Sequence, residues 1–138
     1  MTTGPQVEYR LDGRRTASLE AFFDEFSRVV LGGIPLGPSL DAFNDVLRGG
    51  FGAPEDGFTL RWVHSADARR QLGYPETARQ LELHLARCHP DNRQQVELEL
   101  SQARRGAGPT VFDWLVEIIS DHGPGGNEAE DRVRLILE

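Results

Sequence analysis

Two aspartates, Asp41 and Asp45, are the side chains whose type and spacing best suit ionic binding to a partner. The apolar residues around them, Leu40, Phe43 and Leu47, repeat at helical spacing, so the segment 40–48 is predicted to be a helix. Residues at i and i+4 stack on one helix face, which places the two carboxylates side by side. The helix dipole alone explains an acid in the first turn, as at Asp41, but not one beyond it, as at Asp45.

A small hydrolase or metal-dependent enzyme that uses Asp41, Asp45 and Glu117 is one alternative. It would need further groups, and the sequence contains no Gly-rich phosphate loop, nucleophile elbow or zinc-protease motif. His84 and Cys88, at i and i+4, could share a metal, but a site needs three or four ligands and no clear set completes it. We therefore predict a protein that is not an enzyme and holds no metal or cofactor.

The charge balance argues for a protein partner. The 138 residues, predicted to form a single domain, include 22 acidic and 15 basic side chains, a net charge of −7. Nucleic-acid binding is not expected, because contact with phosphates requires a basic surface. Residues 17–57 carry seven acidic side chains and two arginines, whereas residues 61–105 carry six acidic side chains and eight arginines. The acidic half suits a basic partner, since complementary fields speed encounter.

The remaining composition indicates the compartment. A single cysteine, Cys88, allows no intrachain disulfide, which favours a reducing environment. No apolar run approaches the ~20 residues of a membrane span. Residues 1–6 lack the basic start and apolar core of a signal peptide. We expect a cytoplasmic protein that contacts no membrane and is a monomer when free.

The elements that must position the aspartates follow from periodicity. Alternating or apolar runs predict strands at 7–11, 58–63 and 132–137. Successive strands are separated by helical crossovers long enough for parallel connections. The sequence therefore predicts an α/β fold with a small three-stranded parallel sheet packed with helices. Predicted helices cover 18–31, 40–48, 75–87, 92–104 and 110–121, the first two capped by Ser18 and Ser39.

The segment 37–47, GPSLDAFNDVL, resembles the G-x-N-L-D-A-L-W-D-x-L segment of the barstar family, the inhibitors of barnase-type ribonucleases. The turn Asp12-Gly13, the helix start at Ser18, the middle strand and the last strand also lie at matching places. The matched pieces cover about residues 7–64 and 110–138. The stretch 75–108 is longer than its counterpart and is predicted to be a helical insertion in a barstar-like domain.

The resemblance implies an inhibitor that blocks the active site of a basic, barnase-type ribonuclease with the second helix and the loop before it. By analogy, Asp41 and Asp45 would occupy sites meant for substrate phosphate and face Arg and His side chains. Glu117 lies near the position of a third acidic contact. The implied partner-binding residues are Leu36, Gly37, Ser39, Asp41, Asn44, Asp45 and Glu117.

The sequence departs from the family pattern at its aromatic positions. Asn44 and Gly50 stand where the family has tryptophans, and Pro35 and Leu36 replace two loop tyrosines. Aromatic side chains often anchor protein interfaces. The alternative is therefore a protein-interaction module on the same fold with a different, non-ribonuclease partner.

Overall fold

The computed structural model of the protein contains a three-stranded sheet in the order β1-β2-β3, with both strand pairs parallel. The strands are β1 (Glu8–Asp12), β2 (Phe58–Val63) and β3 (Val133–Leu137). This sheet confirms the predicted α/β class. The predictions for Gly50 and residues 1–6 lie outside the residues that the structure describes, which are 7–37, 39–49, 52–54 and 56–138.

The described residues form six α-helices, and the predicted caps of the first two are confirmed. Ser18 Oγ accepts from the Ala21 amide at 3.0 Å, and Ser39 Oγ accepts from the Ala42 amide at 3.3 Å. These bonds satisfy amides that have no partner within the helix. The helices are α1 (Leu19–Val30), α2 (Leu40–Val46), α3 (Ser65–Gln71), α4 (Tyr74–Leu85), α5 (Arg93–Arg104) and α6 (Val111–Asp121).

Helix α2 ends at Val46 rather than at Arg48 and is therefore shorter than predicted. The amides of Arg48 and Gly49 bond to carbonyls three residues back, which tightens the last turn. Gly49 then takes a positive φ of 103°, a conformation that glycine adopts without steric cost. The chain therefore leaves the helical conformation at Gly49, four residues after the second aspartate.

One face of the sheet carries the core. Along β2 the side chains of Phe58, Leu60 and Trp62 are fully buried, while the alternate residues are partly exposed. The Phe43 ring of α2 packs edge-on against Phe22 of α1, with centroids 5.3 Å apart. Helix α2 is therefore fixed to the core through a large aromatic side chain.

Helices α4 and α5 form a hairpin with a small core of its own, made by Leu81, Val96, Leu100 and Ala103. Trp114 of α6 is half-buried and packs against both this cluster and the main core. The helical hairpin predicted for 75–108 is present, and its status as an addition to the fold stays a prediction. Within the described residues, no helix has the length and apolar content needed to cross a bilayer.

Candidate partner-binding site

The two aspartates lie on the solvent side of α2. Asp41 and Asp45 are both exposed, and the Asp45 side chain retains 61% of its accessible surface. The opposite side of the helix presents Phe43 and Val46 to the core, where they are 0% and 4% exposed. The helix is thus anchored by apolar packing and offers two carboxylates to solvent, as the helical spacing predicted.

The loop before α2 runs beside the second aspartate. The Ser27 hydroxyl of α1 donates to the Ile34 carbonyl, which ties the loop to the preceding helix. Leu36 is half-buried against the core, whereas Gly37 and Ser39 are exposed. A cavity of about 240 Å³ between loop and helix is lined by Leu31, Ile34, Pro35, Leu36, Gly37, Ala42, Asp45 and Val46. Asp45 is the one charged residue in that lining.

Asp45 has a counter-ion within the chain. Nη1 of Arg48 donates to Asp45 Oδ1 at 2.8 Å, and Nε of the same guanidinium donates to Glu128 Oε1, also at 2.8 Å. The hydrogen bond from Arg48 lowers the pKa of Glu128 below its ordinary value. Arg48 therefore bridges the acidic helix and the connection between α6 and β3.

Asn44 points toward a buried histidine rather than standing free on the helix surface. Its Oδ1 lies 2.7 Å from Nε2 of His122, the residue that follows α6. The His122 ring is 0% exposed, and its Nδ1 lies 2.6 Å from Asp131 Oδ2. Oε2 of Glu128 lies 3.6 Å from Nε2. A polar network thus joins α2 to the α6–β3 connection.

His122, Glu128 and Asp131 also have the types of side chain that bind transition metals, and their ligand atoms lie within 4.8 Å of one another. Two features argue for a structural network instead. Arg48 donates to Glu128, so a metal cation would face a positive charge. Both His122 ring nitrogens already face oxygens at hydrogen-bond distance. We interpret the cluster as an internal polar network.

Glu117 lies on the exposed side of α6. The proposed roles of all seven partner-binding residues stay predictions: Leu36, Gly37, Ser39, Asp41, Asn44, Asp45 and Glu117.

Four side chains of this network were not identified from the sequence: Arg48, His122, Glu128 and Asp131. Arg48 had a usable signal, since it lies three residues after Asp45, the spacing of neighbours on a helix surface. His122, Glu128 and Asp131 had no local signal in the sequence. Asn44 and His122 are 78 residues apart in the chain, and Glu128 and Asp131 lie between the predicted helix 110–121 and the predicted strand 132–137, where no periodicity indicates an element.

Comparison with known families gives one match. A family model described as Barstar (barnase inhibitor) matches residues 7–101. The matched range contains α2 with both aspartates and the loop before it, and it ends before α6, so Glu117 and His122 lie outside it. No curated protein and no solved structure matches the chain.

Proposed function

The chain belongs to the barstar family, and we propose that it is an inhibitor that binds and blocks the active site of a basic, barnase-type ribonuclease. The observation that carries this proposal is the pair of exposed carboxylates, Asp41 and Asp45, on a helix whose opposite side is buried. We further propose that the protein is not an enzyme and acts in the cytoplasm.

The chemistry of inhibition follows from the likeness of a carboxylate to a phosphate oxygen pair. A ribonuclease must present cationic side chains to the phosphates of its substrate, and a carboxylate can accept two parallel hydrogen bonds from one Arg. Asp41 and Asp45 would bind those cations on the exposed side of α2. Removing either aspartate from the complex would leave a buried positive charge without its partner, which is costly.

Electrostatic attraction would also guide the encounter. Residues 17–57 carry seven acidic side chains and two arginines. An acidic surface of this kind raises the rate of association with a basic protein, and salt screens the effect. The proposed complex should therefore form more slowly as ionic strength rises.

One observation favours the alternative, an interaction module with a different partner. Asn44 occupies the position of a family tryptophan and directs its amide oxygen to His122, so this position offers no aromatic anchor to a partner. The fold and the acidic helix would be the same in both cases. The two proposals differ only in the partner that the helix contacts.

Inhibition of a barnase-type ribonuclease by the purified protein distinguishes them. We expect stoichiometric inhibition that weakens between low and physiological salt. The control is bovine serum albumin at equal concentration, an acidic protein with no relation to the fold. If several such nucleases remain fully active at a molar excess of the protein, the ribonuclease proposal is wrong and the module is favoured.

A further inference from the structure

We propose that Arg48 is a specificity-determining residue of this site, because it pairs with Asp45 in the free protein and competes with the partner's cation for that carboxylate. The identity of the partner rests on the proposed function, whereas the competition between cations for Asp45 rests on the geometry alone. The affinity of a partner therefore depends in part on how much better its cation pairs with Asp45 than Arg48 does.

The ion pair is accessible to a competitor. Arg48 Nη1 lies 2.8 Å from Asp45 Oδ1, and the side chains are 47% and 61% exposed. Exposed pairs of this kind contribute little to stability, so an incoming guanidinium can exchange with Arg48 at small cost. No other described side chain bonds to the Asp45 carboxylate, so Arg48 is the competitor that the partner meets.

Glu128 is a second carboxylate to which Arg48 is hydrogen-bonded. Its Oε1 accepts from Arg48 Nε at 2.8 Å, through a different nitrogen from the one that bonds Asp45. A guanidinium has five N–H donors in a fixed fork, so Arg48 can lose Asp45 and keep Glu128. The second bond therefore lowers the cost of releasing Asp45 when a partner arrives.

The two aspartates of the site differ in this respect. Asp41 takes part in no ion pair or hydrogen bond of its side chain among the described residues, whereas Asp45 is paired with Arg48. A partner cation opposite Asp41 meets no competing side chain among the residues that the structure describes. The selectivity of the site should consequently depend more on the cation that faces Asp45.

The competition can be measured without a ribonuclease. Side-chain carboxyl carbons of Asp41 and Asp45 are followed by NMR while argininamide is added at constant ionic strength, in the wild type and in Arg48→Gln. We expect the apparent affinity at Asp45 to rise about two- to five-fold in the variant, the range that exposed ion pairs contribute. Asp41 should change less.

The matched control is Arg93→Gln on α5. It removes the same charge and also breaks an exposed intrahelical pair, Arg93 with Glu97 at 3.1 Å, far along the chain from α2. Asp45 should respond to argininamide in this variant as in the wild type. Equal affinity of Asp45 for argininamide in the wild type and Arg48→Gln would overturn the inference.

A ribonuclease adds a second readout. For a nuclease that the wild type inhibits, Arg48→Gln should tighten binding about two- to five-fold, and Glu128→Gln should weaken it because Arg48 then holds only Asp45. Equal dissociation constants for the wild type and Arg48→Gln would contradict the inference. If no nuclease binds but argininamide shows the competition, the proposed function fails and the role of Arg48 stands.

Discussion

The side-chain oxygen of Asn44 on α2 lies 2.7 Å from Nε2 of His122, although 78 residues separate the two in the chain. The histidine ring is fully buried and is held on its other side by Asp131, 2.6 Å away. The acidic helix is therefore fixed to the core by this polar contact as well as by the Phe43 ring. A substitution of Asn44 or His122 should therefore affect how the helix that carries the aspartates packs on the core.

Replacing His122 with alanine should destabilise the fold. The substitution leaves the half-buried Asn44 and Asp131 without their common partner; a fully buried polar group left unpaired costs about 1–3 kcal/mol, so we expect a loss toward the lower end of that range. Urea unfolding would measure the loss. The control is His84→Ala, which truncates an exposed histidine of α4. Unchanged stability of His122→Ala would contradict a structural role for the ring.

Asn44→Trp, which restores the aromatic residue of the family pattern, should destabilise this protein rather than improve its site. Asn44 is half-buried and bonded to His122, so a larger apolar side chain must break that contact or turn outward at a cost. Asn127→Trp places the same change at an exposed position and should alter stability by less than about 0.5 kcal/mol. Thermal unfolding of the two variants tests the difference, and a fully stable Asn44→Trp would refute it.

Stability should fall in acid partly through Glu76 of α4. Burial raises the pKa of this carboxyl, but hydrogen bonds from Arg79, Gln80 and the Leu19 amide outweigh it, and the net pKa is lowered from 4.5. A carboxyl with a lowered folded pKa stabilises the fold above its unfolded pKa, and this contribution is lost as pH falls through the folded value.

Glu76→Gln removes that contribution. The variant should be less stable than the wild type at neutral pH. The difference between their free energies of unfolding, the stability gap, should narrow as pH decreases below 4.5. Urea unfolding across this pH range measures the gap. Glu130→Gln, at an exposed position, serves as the control for the loss of one negative charge. A gap that stays constant with pH would show that Glu76 stabilises the fold in some other way.

Local patterns in the sequence predicted secondary structure and the side of an element that is buried. Alternation in Phe58–Val63 predicted the central strand, and the helical spacing of Leu40, Phe43 and Leu47 predicted which side of α2 is buried. The resemblance of segment 37–47 to a family motif led to the family that the comparison confirms.

What the sequence did not reveal depends on contacts between distant parts of the chain. The bond between Asn44 and His122 requires the α6–β3 connection to fold back onto α2, and no periodicity describes that connection. The counter-ion Arg48 was within reach of helical spacing, but its second bond, to Glu128, spans 80 residues. Tertiary packing, rather than local propensity, places these side chains.

The central claim, that the two aspartates of α2 bind the partner, is tested most directly by the affinity of Asp41→Ala/Asp45→Ala for a barnase-type ribonuclease that the wild type inhibits. The comparison is Asp67→Ala/Asp91→Ala, which removes the same total charge from α3 and from the turn between α4 and α5. We predict that the α2 variant loses at least a hundred-fold in affinity, on the order of the cost of two unpaired cations, while the control stays near the wild type. Equal affinities of the two double variants would contradict the account.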